Sequence, residues 1–464
     1  MTFEVREYQT RMIDQARELL RRRRKAILFQ LPTGGGKTVL GATMLKTITD
    51  RGKRAFFIVH RRELIRQSAD TFDMGGIPYG YCAAGMPLDR KQPVQLASIQ
   101  TLGKRLDRMP TPDVIVFDEA HHLAAGTWAK VYSHYPDATM IGLSATPERL
   151  DGAGLSGWFA DMVTGPSTAD LIAQGYLSPY RLFAPGVPDT SSLHTRGGDF
   201  KAEEAAALMD KPSITGDAVD HYRRLAPGRR AVVFCVSIQH SQHVAAQFKA
   251  AGFRAAHLDG DTAFAERDHT IAEFRAGRIE VLCNVDLFGE GFDLPALEVS
   301  ILLRPTQSLA MYLQQVGRSL RVAPGKTEAL ILDHAGNSAR HGLPDDERAW
   351  TLEGRVKAKR EGGDAGVAIK TCKACFATVR AFKTHCPHCG YEFPVVPREI
   401  EQRDGALVEV DPAQARIEKL REQGNAQTEA DLIAVGARRG MKRPELWARH
   451  VLRARAEKRA RSRA

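Results

Sequence analysis

Short, uniformly apolar runs bounded by polar or turn-forming residues recur along the chain: AILFQL (26–31), AFFIVH (55–60), VQLASI (94–99), DVIVFDE (113–119) and TMIGLSA (139–145). Runs of this length without strict alternation fit strands covered on both faces, as in a parallel sheet. The stretches between them mostly carry helical spacing. Residues 5–20 place Tyr8, Met12, Ala16, Leu19 and Leu20 on one face, and the basic run Arg21–Lys25 follows at the helix end that favours cations. The rhythm restarts at AVVFCV (231–236), AAHLDG (255–260), IEVLCNV (279–285), VSILL (299–303) and EALILD (328–333). The pattern predicts an α/β protein with two tandem domains of similar construction. We place them at 1–168 and 169–340, divided by the turn-rich TPERLDGAGLSGW and a helix leading into the second unit.

Beyond residue 340 the strand rhythm stops. Residues 341–370 carry mixed charge and Gly342, Gly354, Gly362, Gly363 and Gly366, which reads as a linker; a small cysteine module spans 371–396. Residues 397–464 form a polar, helix-prone tail, with nine Lys or Arg against two Glu from Met441 onward. A chain of 464 residues exceeds the size at which one core stops growing, about 250 to 300 residues, in keeping with several domains. The formal charge of +11 suits a polyanionic partner. No apolar run reaches the roughly 18 residues that cross a bilayer, and MTFEVREYQT has no signal-peptide character, so a cytoplasmic location without membrane contact is expected. Cys82, Cys235 and Cys283 stand singly in apolar or mixed surroundings, the usual setting of a small buried hydrophobe.

Chemistry enters with LPTGGGKT at 31–38. Thr33, Gly34, Gly35 and Gly36 make a turn in which backbone amides can converge on phosphate, and the following helix presents its N-terminus to the same anion. Lys37 would reach the β and γ phosphates of ATP, and Thr38 would give its hydroxyl to Mg²⁺. Leu31 stands where the strict phosphate-loop pattern has its first glycine. The loop is matched downstream by a strand ending in Asp118 and Glu119, the start of DEAHH (118–122). Asp118 suits the metal, directly or through water, and Glu119 suits the attacking water as a general base.

The ordered set of motifs resembles the superfamily 2 helicases of the DEAD/DEAH type over roughly residues 3–335. On that resemblance Arg6 and Gln9 in VREYQ would read the adenine, while HRRELIRQ (60–67) and SIQTL (98–102) would contact the nucleic-acid strand. Ser144 and Thr146 in SAT would couple hydrolysis to motion. In the second half GEGFDLP (289–295) and QQVGRSLR (314–321) resemble the motifs that complete the nucleotide site, with Gly291 and Asp293 near the ribose and phosphates and Arg318 and Arg321 as arginine fingers. His121 and Gln314 would sense closure of the cleft, a role left open for His122. Val285 departs from the hydroxyl residue that many relatives carry. RPTQS (304–308), APGKTEALILDHAGN (323–337) and the cysteine pairs are similar to RadD-type DNA-repair ATPases and related phage or restriction-type helicases. That branch implies DNA as the partner more than RNA, in repair, recombination or phage and restriction-type processing. An RNA helicase and an ATP-switched zinc-containing adaptor are the alternatives.

Cys372, Cys375, Cys386 and Cys389 form two C-x2-C pairs ten residues apart, a spacing that supplies four thiolates to Zn²⁺. His385 and His388 flank the second pair and read as exposed polar residues beside the four thiolates. Lys370, Lys373, Arg380 and Lys383 surround the module with positive charge. Phe376, Phe382 and Phe393 are expected as its small apolar filling, with base stacking as the alternative.

Overall fold

The structure, a computed structural model, describes residues 4–123, 126–149, 151–184, 188–288, 297–354, 369–394, 421–439 and 444–461. Residues up to Pro394 form one compact unit and those from Val395 another. Seven strands build the first sheet: β1 (Ala26–Gln30), β2 (Ala55–Val59), β3 (Tyr79–Cys82), β4 (Val94–Ser98), β5 (Val114–Asp118), β6 (Thr139–Ser144) and β7 (Asp161–Thr164). Their order is β3-β4-β2-β5-β6-β1-β7 and every pairing is parallel. Alternate residues serve opposite faces: Phe29, Phe57, Val116 and Leu143 enter one core, Leu28, Phe56, Ile115 and Phe117 the other. Burial on both sides explains why these strands read as continuous apolar runs.

The second sheet contains β8 (Tyr180–Phe183) and, after the short antiparallel pair β9 (Thr195–Arg196) and β10 (Asp199–Phe200), β11 (Ala231–Phe234), β12 (Ala255–Leu258), β13 (Val281–Asn284), β14 (Val299–Leu302) and β15 (Ala329–Asp333). Its order, β12-β13-β11-β14-β15-β8, is again wholly parallel. It repeats the first sheet strand for strand, with β8 in the place of β1 and β11 to β15 in the places of β2 to β6. All ten apolar runs form strands. Of the strands in the two sheets, the three that no apolar run announces, β3, β7 and β8, all take end positions.

The stretch after residue 340 that reads as a linker is packed as far as Gly354. Arg348 donates to the carbonyl oxygens of Leu343 (2.8 Å) and Asp346 (2.9 Å), and the Tyr312 hydroxyl donates to that of Gly342 (3.1 Å). The chain then returns to the first sheet's side, where the amides of Leu155 and Ser156 donate to the Leu352 carbonyl at 2.6 and 2.9 Å and Ala153 bridges Gly354. The two domains are therefore tied twice, once through residues 165–179 and once through this strap. The cysteine module opens with the antiparallel pair β16 (Ile369–Thr371) and β17 (Thr378–Arg380). It docks on the outer edge of β8, with Ala377 bridging Phe183 and the Ala184 amide donating to Thr378 Oγ1 at 3.1 Å.

In the second unit the helices Glu429–Arg438 and Pro444–Arg461 pack together over Leu432, Val435, Ala448 and Val451, with Trp447 and Leu452 at the margin. Thr428 caps the first helix by accepting from the Asp431 amide at 3.1 Å.

Candidate nucleotide site and cysteine cluster

The phosphate-type loop begins where β1 is tied to β6. The Leu31 amide donates to Ser144 O at 3.0 Å, and the buried Gln30 amide group donates to Ala145 O at 2.9 Å. Gly34 and Gly36 take φ of 85° and 84°, a region that side chains with Cβ enter only at a cost. Closeness adds a second reason: a Cβ on Gly36 would lie 2.7 Å from Gln9 Nε2, and one on Gly34 would lie 2.8 Å from Leu177 Cδ2. The helix Glu7–Arg21 braces the loop. Tyr8 donates to Gly35 O at 2.6 Å and Gln9 to Gly36 O at 3.0 Å, while Gln9 Oε1 accepts from the Arg6 amide at 2.9 Å. The turn is thus held in shape by side chains of the helix that precedes it.

At the end of β5, Asp118 and Glu119 are buried, and Glu119 adopts φ 51°. Lys37 Nζ, at the head of helix Lys37–Thr49, is 4.0 Å from Glu119 Oε1. Burial, reinforced by the neighbouring Glu119 and opposed by Lys37 and His60, pushes the Asp118 carboxyl up to about 6. His121 Nδ1 lies 3.6 Å from Glu119 Oε2 and 3.4 Å from Ser144 Oγ, and Ser144 in turn donates to Thr146 O at 2.5 Å. DEAHH and SAT are one polar network at the tips of adjacent strands β5 and β6.

The other wall comes from the second domain. Helix Leu309–Ser319 carries Arg318, and Arg321 follows it; both line a cleft of about 340 Å³ with Arg6, Thr33, Gly34, Gly36, Lys37, Thr38, Asp118 and Glu119. Gly317 permits the approach, since its Cβ would come 2.6 Å from Thr33 Cβ. Gln314 is turned away from this cleft. Its buried Nε2 has no hydrogen-bond partner among the described residues, and it lines a separate cavity with His60, Arg61, His122 and Asn284. His121 therefore faces the carboxylates, and it is His122, stacked 6.1 Å from Trp128, that shares a cavity with Gln314. Gly291 and Asp293 lie outside the described residues. In HRRELIRQ, Arg61 donates to Asp286 O at 2.5 Å and Arg66 pairs with Asp268 at 3.3 Å, both contacts reaching the second domain.

Tyr176 belongs to the cleft but escaped the sequence reading. Its ring lies 4.4 Å beneath the Arg6 guanidinium and 5.6 Å from Tyr8 in an edge arrangement. The next residue, Leu177, bridges Arg321, and the Ser178 amide donates to Leu320 O at 2.7 Å. Nothing in GYLSPY marks this, because the contact arises only where the inter-domain segment folds back over the glycine loop.

The four cysteine Sγ atoms all lie within 4.8 Å of one another, with Cys372–Cys389 and Cys375–Cys386 at 3.6 Å. Four thiols converging without a disulfide match the donor set of tetrahedral Zn²⁺. The two knuckles share a geometry: the amide of Phe376 donates to Cys372 O and that of Gly390 to Cys386 O, both at 2.9 Å. Two expectations for the surroundings change. Val379, Tyr391 and Phe393 make the filling, whereas Phe376 and Phe382 are 61 % and 72 % exposed. Of the positive charges around the module, Arg380 is taken up by ion pairs with Asp345 and Asp346 at 3.3 and 3.0 Å.

Residues 2–149 match the family described as type III restriction enzyme, res subunit, and residues 214–323 match the helicase conserved C-terminal domain. A Lactococcus phage protein known as a 51.5 kDa protein is 36% identical over 82% of each chain. A Saccharomyces cerevisiae protein named as an ATP-dependent helicase, IRC3, is 29% identical over 72% of this chain and 52% of its own length. Among solved structures, a fragment described as an HsdR subunit of a type I restriction enzyme from Vibrio vulnificus superposes with a TM-score of 0.60 at 21% identity, covering 74% of this chain and 67% of that one. The chain belongs to the superfamily 2 helicases of the DEAD/DEAH type, with two RecA-like domains. It is an ATP-hydrolysing motor of the helicase or translocase kind that works on nucleic acid. No helix among the described residues is long and apolar enough to cross a membrane.

Proposed function

We propose that the chain is a DNA-dependent ATPase that remodels or translocates along DNA in repair or restriction-type processing, with hydrolysis gated by closure between its two domains. The observation that carries this reading is the shared cleft, lined from one side by Lys37, Thr38, Asp118 and Glu119 and from the other by Arg318 and Arg321. Lys37 and the amides of Gly34 to Gly36 hold the phosphates, and Glu119 takes a proton from the attacking water. Thr38 and Asp118 would hold magnesium, which when bound supplies charge neutralisation at the phosphates. Arg318 and Arg321 meet the charge that develops on the γ phosphate, so full rate requires the second domain in place. Arg6 and Gln9 read the base, and Gly291 and Asp293 serve the ribose side. Ser144, Thr146 and His121 carry the state of the carboxylates into the strand-binding face, and Gln314 answers from the second domain through the cavity it shares with His122. Cys372, Cys375, Cys386 and Cys389 hold zinc as a staple for a module too small to build a core.

DNA is favoured over RNA by the restriction-enzyme family match, while the net charge of +11 suits either polyanion. The reading is tested by measuring ATPase rates without polymer and with single-stranded DNA, duplex DNA and RNA, alongside Glu119→Gln. DNA stimulation that Glu119→Gln abolishes is the expected result. Equal rates under all four conditions would remove the motor reading, and stimulation by RNA alone would make the chain an RNA helicase.

A further inference from the structure

The two cysteine knuckles are built alike, and one position differs in a way that packing does not explain. After the second pair stands Gly390 with φ 74°; after the first stands Phe376 with φ 61°. Both supply the amide that closes the knuckle onto its first cysteine. Glycine is the residue that adopts this conformation without cost, and for a bulky side chain it is an outlier of about 1 kcal/mol or more. A strained residue is usually retained because its side chain is needed for packing. Phe376 fails that account, since 61 % of it is exposed while the next residue, Ala377, is fully buried against the second domain. Phe382, in the turn after β17, is 72 % exposed as well.

The charges beside these rings divide into used and available. Lys370 lies over Phe393 at 3.8 Å and donates to Lys383 O at 2.6 Å, and Arg380 is held by Asp345 and Asp346. The exposed Lys373 sits between the first two cysteines, and Lys383 places its ammonium 5.6 Å from the Phe382 centroid. Exposed aromatic rings with lysines beside them are the equipment of a surface that stacks unpaired bases and tracks their phosphates. We propose that Phe376 and Phe382, with Lys373 and Lys383, form a stacking site for the unpaired bases of a single-stranded nucleic acid. Ala377 and Thr378 mount this site on the edge of the second sheet, so it travels with the second domain. It rests on the reading of the chain as a nucleic-acid motor and adds a contact outside the nucleotide cleft.

The strain gives a test that separates the ring from the fold. Phe376→Gly removes the ring while relieving the backbone, so the full-length variant should melt no earlier than the parent and keep its bound zinc. Its affinity for a fluorescently labelled oligo-dT strand, followed by anisotropy, should fall roughly tenfold, with a further loss in Phe376→Gly/Phe382→Ala. Phe376→Tyr should restore binding. Affinity for a blunt duplex should be unaffected, since its bases are already stacked. Folded, zinc-loaded variants that bind oligo-dT as tightly as the parent would overturn the proposal, as would equal losses on strand and duplex. A parent protein that binds neither polymer would instead sink the motor reading itself.

Discussion

The two RecA-like domains share one strand order yet hold different chemistry at equivalent strand ends. After β1 the chain turns through Gly34 and Gly36 into a long helix; after the equivalent β8 it meets the cysteine module at Ala184. The strand β5 ends at Asp118 with Glu119 next, whereas its counterpart β14 is followed by Leu303 and Arg304. One sheet edge is covered by β7 and the other by Ala377 and Thr378. The comparison teaches that the fold supplies strand tips at fixed places, and that residues in the following turn decide what a tip does. The first domain keeps the glycine loop and the carboxylates, and the second keeps two arginines and an external module.

The sharpest way to break this division is to remove one side of the cleft. Arg318→Ala should lower nucleic-acid-stimulated ATPase on the order of 10³-fold, and Glu119→Gln by about 10² to 10⁴-fold, each without a change in melting temperature. Comparable loss from both would mean that neither domain hydrolyses ATP alone. Retention of the parental rate by Arg318→Ala would assign the finger to Arg321.

Acid should act on the two domains in opposite directions. In the second, burial pulls His240 down to about 4 and His334 down to about 3 from 6.5. The unfolded chain takes up those protons first, so stability present above pH 6.5 is lost as the pH falls toward 4. At pH 5 the loss is about 2 kcal/mol for each imidazole, taken over 1.5 pH units. In the first domain Asp118 stands at about 6, above its usual 3.8, so protonation on acidification relieves a buried charge. Calorimetry between pH 7 and pH 5 should show the second domain melting earlier. Parallel shifts of both transitions would contradict the contrast.

The strap that joins the domains a second time can be opened without touching either site. Gly154 has no room for a Cβ against the Leu352 carbonyl, so Gly154→Ala should destabilise by about 1 to 3 kcal/mol and raise proteolytic cleavage after residue 340. Unchanged cleavage would show that the strap does not hold the domains. The smallest effect is expected from Tyr176→Ala. Loss of a cation–π support of about 1 kcal/mol under Arg6 should raise the KM for ATP roughly fivefold with little change in kcat. A kcat effect larger than the KM effect would place Tyr176 upstream of Arg321 and not of Arg6.

Much of this molecule was legible from contiguous stretches of residues. The ten buried strands, the glycine loop, DEAHH and the two cysteine pairs are local patterns, because an unbroken apolar run, turn conformation and close ligand spacing act within a few residues of the chain. The strands β3, β7 and β8, the strap and Tyr176 are not legible in that way. Tyr176 reaches Arg6, and Leu352 reaches Leu155, only after the chain has reversed, and no nearby residue records such a meeting. The same limit explains the histidines. DEAHH names two of them, but the turn after β5, with Glu119 at φ 51°, sets His121 on the carboxylate side and His122 beside Gln314. It also explains Phe376, which reads as filling beside its cysteines and emerges exposed because the knuckle buries Ala377 instead. Which residues could do chemistry was written in the order of the amino acids, whereas which of them face one another was decided by how two similar sheets are tied together.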